Sequence, residues 1–147
     1  MHQCGSTATE AFTTGCKFDL LSFAWLPSAC TDEILTDEFL AREDWGWYRA
    51  PFPAGDKDRV SLEMVRQGTA GDLFVSKKYA TTRCEFMWRK LQRFVDGTGA
   101  EAADVDVAGQ QLLQNCSEFL DPAHARVNSS LSLLIVSYPP CNYRRTI

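Results

Sequence analysis

The sequence predicts an α+β domain of mainly helical character, held by disulfides and spanning 1–147 as a single unit. Three observations carry this expectation. Stretches 78–95 and 105–120 repeat apolar residues at helical spacing, so each should form an amphipathic helix. Three shorter runs, 18–26, 73–75 and 131–138, are apolar and rich in β-formers, which suits a few short strands. The six cysteines Cys4, Cys16, Cys30, Cys84, Cys116 and Cys141 are even in number and contain no C-x-x-C pair, the pattern of a disulfide framework. They allow many connectivities, and the sequence does not choose among them.

Thr7-Ala8-Thr9-Glu10 is a capping-box pattern with Gly15 as a stop, so a short helix should open the chain. Residues 18–26 run to Pro27 and read as one strand or buried extended segment. Thr31 is the expected cap of a second helix reaching Arg42, which would bury Ile34, Leu35, Phe39 and Leu40. Trp45-Gly46-Trp47-Tyr48 follows, then the loop Pro51-Phe52-Pro53-Ala54-Gly55 and a charged turn at 56–59. Residues 61–67 should make one or two helical turns closed by Gly68, ahead of a short strand at 73–75. The main helix, 78–95, gathers Ala80, Cys84, Met87, Trp88, Leu91, Phe94 and Val95 on one face and ends at Gly97 and Gly99. The helix over 105–120 places Ala108, Leu112, Leu113, Cys116, Phe119 and Leu120 inward, and Asp121-Pro122 stops it. A buried strand over 131–138 closes at Pro139-Pro140-Cys141.

A net charge of −4 leaves no basic stripe to displace phosphate counterions, which argues against nucleic acid as a partner. The run Arg89-Lys90…Arg93 reads as the solvated face of a helix, as do the carboxylate pairs Asp32/Glu33, Asp37/Glu38 and Glu43/Asp44. No apolar run approaches the ~20 residues that span a bilayer, so no stable membrane insertion of this segment is expected. The chain opens on polar His2-Gln3-Cys4 with no signal peptide, so a secretory signal or anchor would have to lie upstream. Asn128-Ser129-Ser130 is a glycosylation sequon and Asn115-Cys116-Ser117 a poorer one. With the cysteines they point to the lumen of the secretory pathway or beyond it.

There is no G-x-S-x-G elbow, P-loop, G-x-G-x-x-G or H-E-x-x-H. His2 and His124 are the two histidines; His124 has only Asp121 as an acidic neighbour in sequence and reads as a surface residue. The aromatic set is richer: Trp25, Trp45, Trp47, Tyr48, Phe52, Tyr79 and Trp88 could fill the core, or could line a pocket for a flat apolar molecule. Arg83 shares a helix face with Ala80, Cys84 and Met87. Its rigid fork of donors requires an anion, a carbonyl or a salt bridge, for which Glu101, Asp104 and Glu118 are candidates.

Cys4-Gly5-Ser6-Thr7, Gly15-Cys16-Lys17-Phe18-Asp19, Ser22-Phe23-Ala24-Trp25-Leu26-Pro27-Ser28-Ala29-Cys30, Trp45-Gly46-Trp47 and Cys84…Met87-Trp88-Arg89-Lys90 together resemble a group of fungal secretory proteins. That group is similar to the UstYa-like family of secondary-metabolite biosynthesis, whose hallmark is two H-x-x-H-C motifs. In the likeness the first motif falls on Ala80-Thr81-Thr82-Arg83-Cys84 and the second on Leu112-Leu113-Gln114-Asn115-Cys116. Both cysteines are present and all four histidines are replaced. Imidazoles at those positions, on two facing helices, would suit a copper-type metal, whereas alanine, arginine, leucine and asparagine do not. The resemblance therefore implies a cavity between two facing helices tied by Cys84–Cys116, with no metal and no cofactor.

The function expected on this basis is a cofactor-free natural-product enzyme. It would perform cyclisation of the Diels–Alder or hetero-Diels–Alder type, or isomerisation, of a small apolar substrate. Such reactions ask for a shaped apolar pocket and donors to a carbonyl. Arg83, Asn115 and Tyr79 would be the catalytic donors, and Trp25, Trp45, Trp47, Trp88, Met87 and Leu112 would hold the substrate. The alternative is a secreted, disulfide-rich binding or effector-like protein without catalysis. The enzyme would take a small-molecule substrate as its partner, and a homodimer is possible.

Overall fold

The longest element dictates the rest. Ser76 accepts a hydrogen bond from the Tyr79 backbone N–H at 3.0 Å and starts a helix, Lys77–Asp96. Gly97 ends it with φ 77°, and the N–H groups of Gly97 and Thr98 close back on Phe94 and Arg93. This is a Schellman stop, which favours glycine because a Cβ resists the left-handed region. The computed structural model describes residues 3–51, 56–104, 116 and 131–143. In chain order its elements are α1 Ala8–Thr13, β1 Lys17–Asp19, β2 Ala24–Leu26, α2 Glu33–Arg42, β3 Trp47–Tyr48, β4 Arg59–Val60, α3 Leu62–Arg66, β5 Leu73–Val75, α4 Lys77–Asp96, β6 Ala102–Asp104, β7 Ser132–Leu134 and β8 Cys141–Tyr143. Single 3₁₀ turns lie at Ser28–Cys30 and Asp56–Asp58.

The fold is α+β. Its described strands form three antiparallel groups: the β1–β2 hairpin, a sheet in the order β4-β3-β5-β7, and the β6–β8 pair. A core of Leu21, Phe23, Leu35, Phe39, Trp45, Trp47, Val75, Tyr79, Phe86 and their neighbours lies among α2, α4, the hairpin and the four-stranded sheet. No helix among the described residues is long and apolar enough to cross a membrane.

Three disulfides fix the chain: Cys4–Cys16, Cys30–Cys141 and Cys84–Cys116. The last is the pair that the resemblance implied. Cys116 is helical and buried, but the rest of the helix expected over 105–120 lies outside the described residues, as do His2, His124 and the sequon at Asn128. The other two bridges gather both ends of the described chain onto the hairpin. Trp25 N–H donates to the Ser137 carbonyl at 3.0 Å, Ser137 N–H returns to Phe23, and Cys141 N–H donates to Gln3 Oε1 at 2.9 Å.

Several expectations need correction. The segment 18–26 is not one strand but a tight hairpin, turned at 20–23 with Phe23 in the left-handed region at φ 53°. The strand expected over 131–138 pairs only through Ser132–Leu134, followed by an isolated bridge from Ser137 to Ala24. Asp32, not Thr31, caps α2, accepting from Leu35 N–H at 3.2 Å, while Thr31 closes the preceding 3₁₀ turn. Ile34, expected inside, is 72% exposed.

The basic run on α4 is only partly a wet face. Arg89 does pair with Glu38 at the surface. Lys90, however, is buried and bonded to Asp19 Oδ2 at 3.0 Å and Ser22 Oγ at 2.8 Å. Arg93 reaches Asp32 at 2.6 Å. These cations bolt α4 to the hairpin and to the start of α2, so Asp32 too is an inward residue. A charge excluded from water is tolerated when its partner and remaining bonds are supplied, as they are here.

Candidate functional site

Some of the residues expected to carry chemistry are brought together, and those described are engaged within the fold. Tyr79 is fully buried, and its hydroxyl accepts a 3.1 Å bond from Trp47 Nε1. Its ring meets Phe39, Trp45 and Trp47 edge-on, with centroids 5.0, 5.2 and 5.8 Å away. Phe39 stacks on Trp45, whose indole N–H is spent on the Phe39 carbonyl at 2.8 Å. Burial pushes the Tyr79 phenol up to about 12, against a small opposing pull from the Trp47 bond and the nearby Arg83 charge. Trp45, Trp47 and Tyr79 therefore form a filled aromatic core.

Arg83 is half-buried on α4 and points at the hairpin. Nε donates to the Leu21 carbonyl at 2.8 Å and Nη2 to the Ser22 carbonyl at 2.9 Å. Glu101 is not its partner; two backbone oxygens of a turn are, while Glu118 and the Asp104 side chain lie outside what the structure describes. That turn presents carbonyls with no strand beside them, and a guanidinium can satisfy two at once. Burial lowers the Arg83 pKa, with Tyr79 and Asp19 opposing. Met87 is buried, with its sulfur 3.8 Å from Ser22 Oγ. Trp88 lies 40% exposed on the outer side of α4, away from the core face expected for it. Asn115 and Leu112 lie outside the described residues.

One further polar cluster invites a catalytic reading. Ser22 Oγ beside Lys90 Nζ has the outline of a serine–lysine pair. Yet Ser22 is 5% exposed and Lys90 is bound to Asp19, whose other oxygen accepts from Thr36 Oγ1 at 3.3 Å. The cluster holds elements together. Among the described residues no group of three or more His, Cys, Asp or Glu side chains is placed to hold a metal ion.

Space for a ligand lies elsewhere. A groove of about 610 Å³ runs between α1, the hairpin and the end of α3. Its apolar surface comes from Ala8, Phe12, Phe18 and Trp25, with Phe12 77% exposed. Its polar lining comes from Thr9, Thr13, Lys17, Arg66, Gln67 and Thr69. Trp25, buried and edge-on to Phe18 at 5.6 Å, is the one expected ligand-holding residue found there. Its Nε1 has no hydrogen-bond partner among the described residues.

The groove is built by identifiable choices. Thr7 caps α1 through Glu10 N–H, and Glu10 reaches back to Ser6 N–H at 2.9 Å, a capping box displaced by one residue. The Cys4–Cys16 bridge ties this helix to β1. On the opposite side Gly68 adopts φ 72°, and a Cβ there would lie 2.6 Å from Trp25 Cζ2 and 2.7 Å from Phe18 Cγ. Only glycine lets α3 end so close to the two rings. The sequence offered the capping box and the glycine stop, but no periodicity links α1 to α3.

Comparison with family models, curated proteins and solved structures finds no match for the chain. The likeness to UstYa-like proteins therefore rests on the residue pattern.

Proposed function

We propose that this protein is a disulfide-stabilised binding protein of the secretory route, which takes a flat apolar small molecule in the groove between α1, the hairpin and α3. One observation carries the reading: this groove leaves aromatic surface open, while Tyr79, Trp45, Trp47 and Arg83 are occupied within the fold. A volume of about 610 Å³ falls in the range of roughly 300–1,000 Å³ usual for small-molecule sites. Three disulfides suit an oxidising compartment.

The test is binding of a neutral, flat fluorophore such as the methyl ester of 1-pyrenebutyric acid, read by energy transfer from tryptophan. Saturable binding that Thr13→Trp abolishes would support the reading. Absence of saturable binding by the folded wild type would refute it.

A second reading keeps the natural-product enzyme, because Arg66 and Gln67 stand beside the apolar lining as donors to a substrate carbonyl. A cofactor-free cyclisation asks for such a pocket and such donors. Relative to the sequence expectation, Arg66 and Gln67 replace Arg83 and Tyr79 as the donors. Incubating a tethered diene–dienophile substrate with the protein and with Arg66→Gln would separate the two readings. An equal rate with and without protein leaves binding alone.

A further inference from the structure

We infer that the groove selects an apolar molecule bearing one acidic group, an aromatic or polyene carboxylate, with Arg66 as the residue that recognises the acid. This rests on the groove being a ligand site and adds the chemical class of the ligand. The chain carries a net charge of −4, yet the charged side chains lining the groove are Lys17 and Arg66, both cationic. No carboxylate shares that lining. A carboxylate on an apolar body finds two cations at the edge of an aromatic surface.

The neighbouring hollow gives the arrangement a direction. A second depression, about 340 Å³, shares Lys17, Phe18 and Arg66 with the groove and continues past them to Asp19, Glu33 and Asp37. Lys17 and Arg66 therefore stand on a boundary, apolar on one side and acidic on the other. An anion is drawn to the boundary and repelled beyond it, which leaves the apolar body lying on Phe12, Phe18 and Trp25.

The two cations are not equivalent. Lys17 already shares its charge with Glu33 at 3.5 Å. Arg66 makes no salt bridge among the described residues, and its planar fork can take both oxygens of a carboxylate. It sits in the last turn of α3, beside the Gln67-Gly68 stop that brings the helix against Trp25 and Phe18.

The experiment compares 1-pyrenebutyrate with its methyl ester, two probes with one aromatic body and a difference of one charge. At low salt the wild type should bind the acid about tenfold more tightly, the size expected of one charge-assisted hydrogen-bonded pair. Arg66→Gln should erase that preference by bringing affinity for the acid down to the level of the ester. Arg66→Glu should make the ester the better ligand. Both substitutions fall on an exposed side chain, and a thermal melt checks that the fold is kept.

Equal affinity of the wild type for acid and ester, or an undiminished preference in Arg66→Gln, would overturn the carboxylate inference while leaving the groove standing. Failure of the wild type to bind either probe would overturn both.

Discussion

Replacing Lys90 by methionine tests whether the buried charges on α4 hold the fold. The wild-type ammonium is about as buried as its partner, with both side chains 4% exposed, and gives bonds of 3.0 Å to Asp19 and 2.8 Å to Ser22. Methionine keeps most of the aliphatic stem, so little packing is lost. What remains is a buried Asp19 carboxylate whose other contacts, Ser22 N–H and Thr36 Oγ1, are both long at 3.3 Å. Breaking one side of such a pair costs about 3–5 kcal/mol. For a chain of this size each kcal/mol moves the melting temperature by about 2–4 °C, so a fall of roughly 10 °C is expected. Circular dichroism melts and urea titrations at neutral pH measure it. The double variant Asp19→Asn/Lys90→Met should recover at least half the loss, because no lone charge is left inside. A loss below about 1 kcal/mol in the single variant, or a double variant worse than the single, would refute the reasoning.

Arg83→Met should cost about 2–3 kcal/mol by stranding the Leu21 and Ser22 carbonyls, yet leave pyrene binding unchanged; weakened binding in a stable variant would put Arg83 back in the site. Tyr79 titrates at about 12 instead of 10.0, so between those values the folded state keeps a proton that the unfolded chain has released. Its contribution is full below the lower value and declines by up to ~3 kcal/mol as pH rises to the higher one. Tyr79→Phe should thus be less stable than wild type near neutrality, where Trp47 N–H is orphaned, and gain on it as pH rises; a constant gap in urea titrations across that window would refute this. Removing the Cys4–Cys16 bridge with serines should cost about 3 kcal/mol and weaken binding of the neutral ester, because one wall of the groove is then held by α1 packing alone. Unchanged ester affinity would show that the bridge does not shape the site.

Much of the fold was legible from local signals. Ser76, Gly97 and the apolar spacing between them define α4, and Thr7 with Glu10 defines α1. The hairpin was hidden because its turn contains no glycine, proline or asparagine; Phe23 takes the left-handed conformation that those signals usually announce. It is held there by long-range partners: Arg83 on the neighbouring carbonyls, and Ser137 on its own.

The inward pairing of Lys90 and Arg93 is hidden in the sequence for a related reason. A charged residue at helical spacing looks solvated unless its partner is known, and Asp19 and Asp32 come from distant parts of the chain. The site was the least legible part. Its lining comes from α1, β1, β2 and the end of α3, each too short to show a face in sequence. Of the five aromatic residues expected in a site, Trp45, Trp47 and Tyr79 went into the core and Trp88 to the surface, leaving Trp25 beside the groove.

The bridge between Cys30 and Cys141 has a consequence for how the chain is made. Its partners are 111 residues apart, and translation advances at ~5–20 residues per second, so Cys30 is synthesised on the order of ten seconds before its partner. During that interval Cys4 and Cys16, separated by 12 residues, are already at hand and can be captured by the waiting thiol. The native pairing is therefore vulnerable while the chain is still growing, and recovery from a wrong first bond depends on thiol exchange. Supplying a disulfide isomerase during expression should raise the yield of correctly bridged protein more than supplying an oxidant.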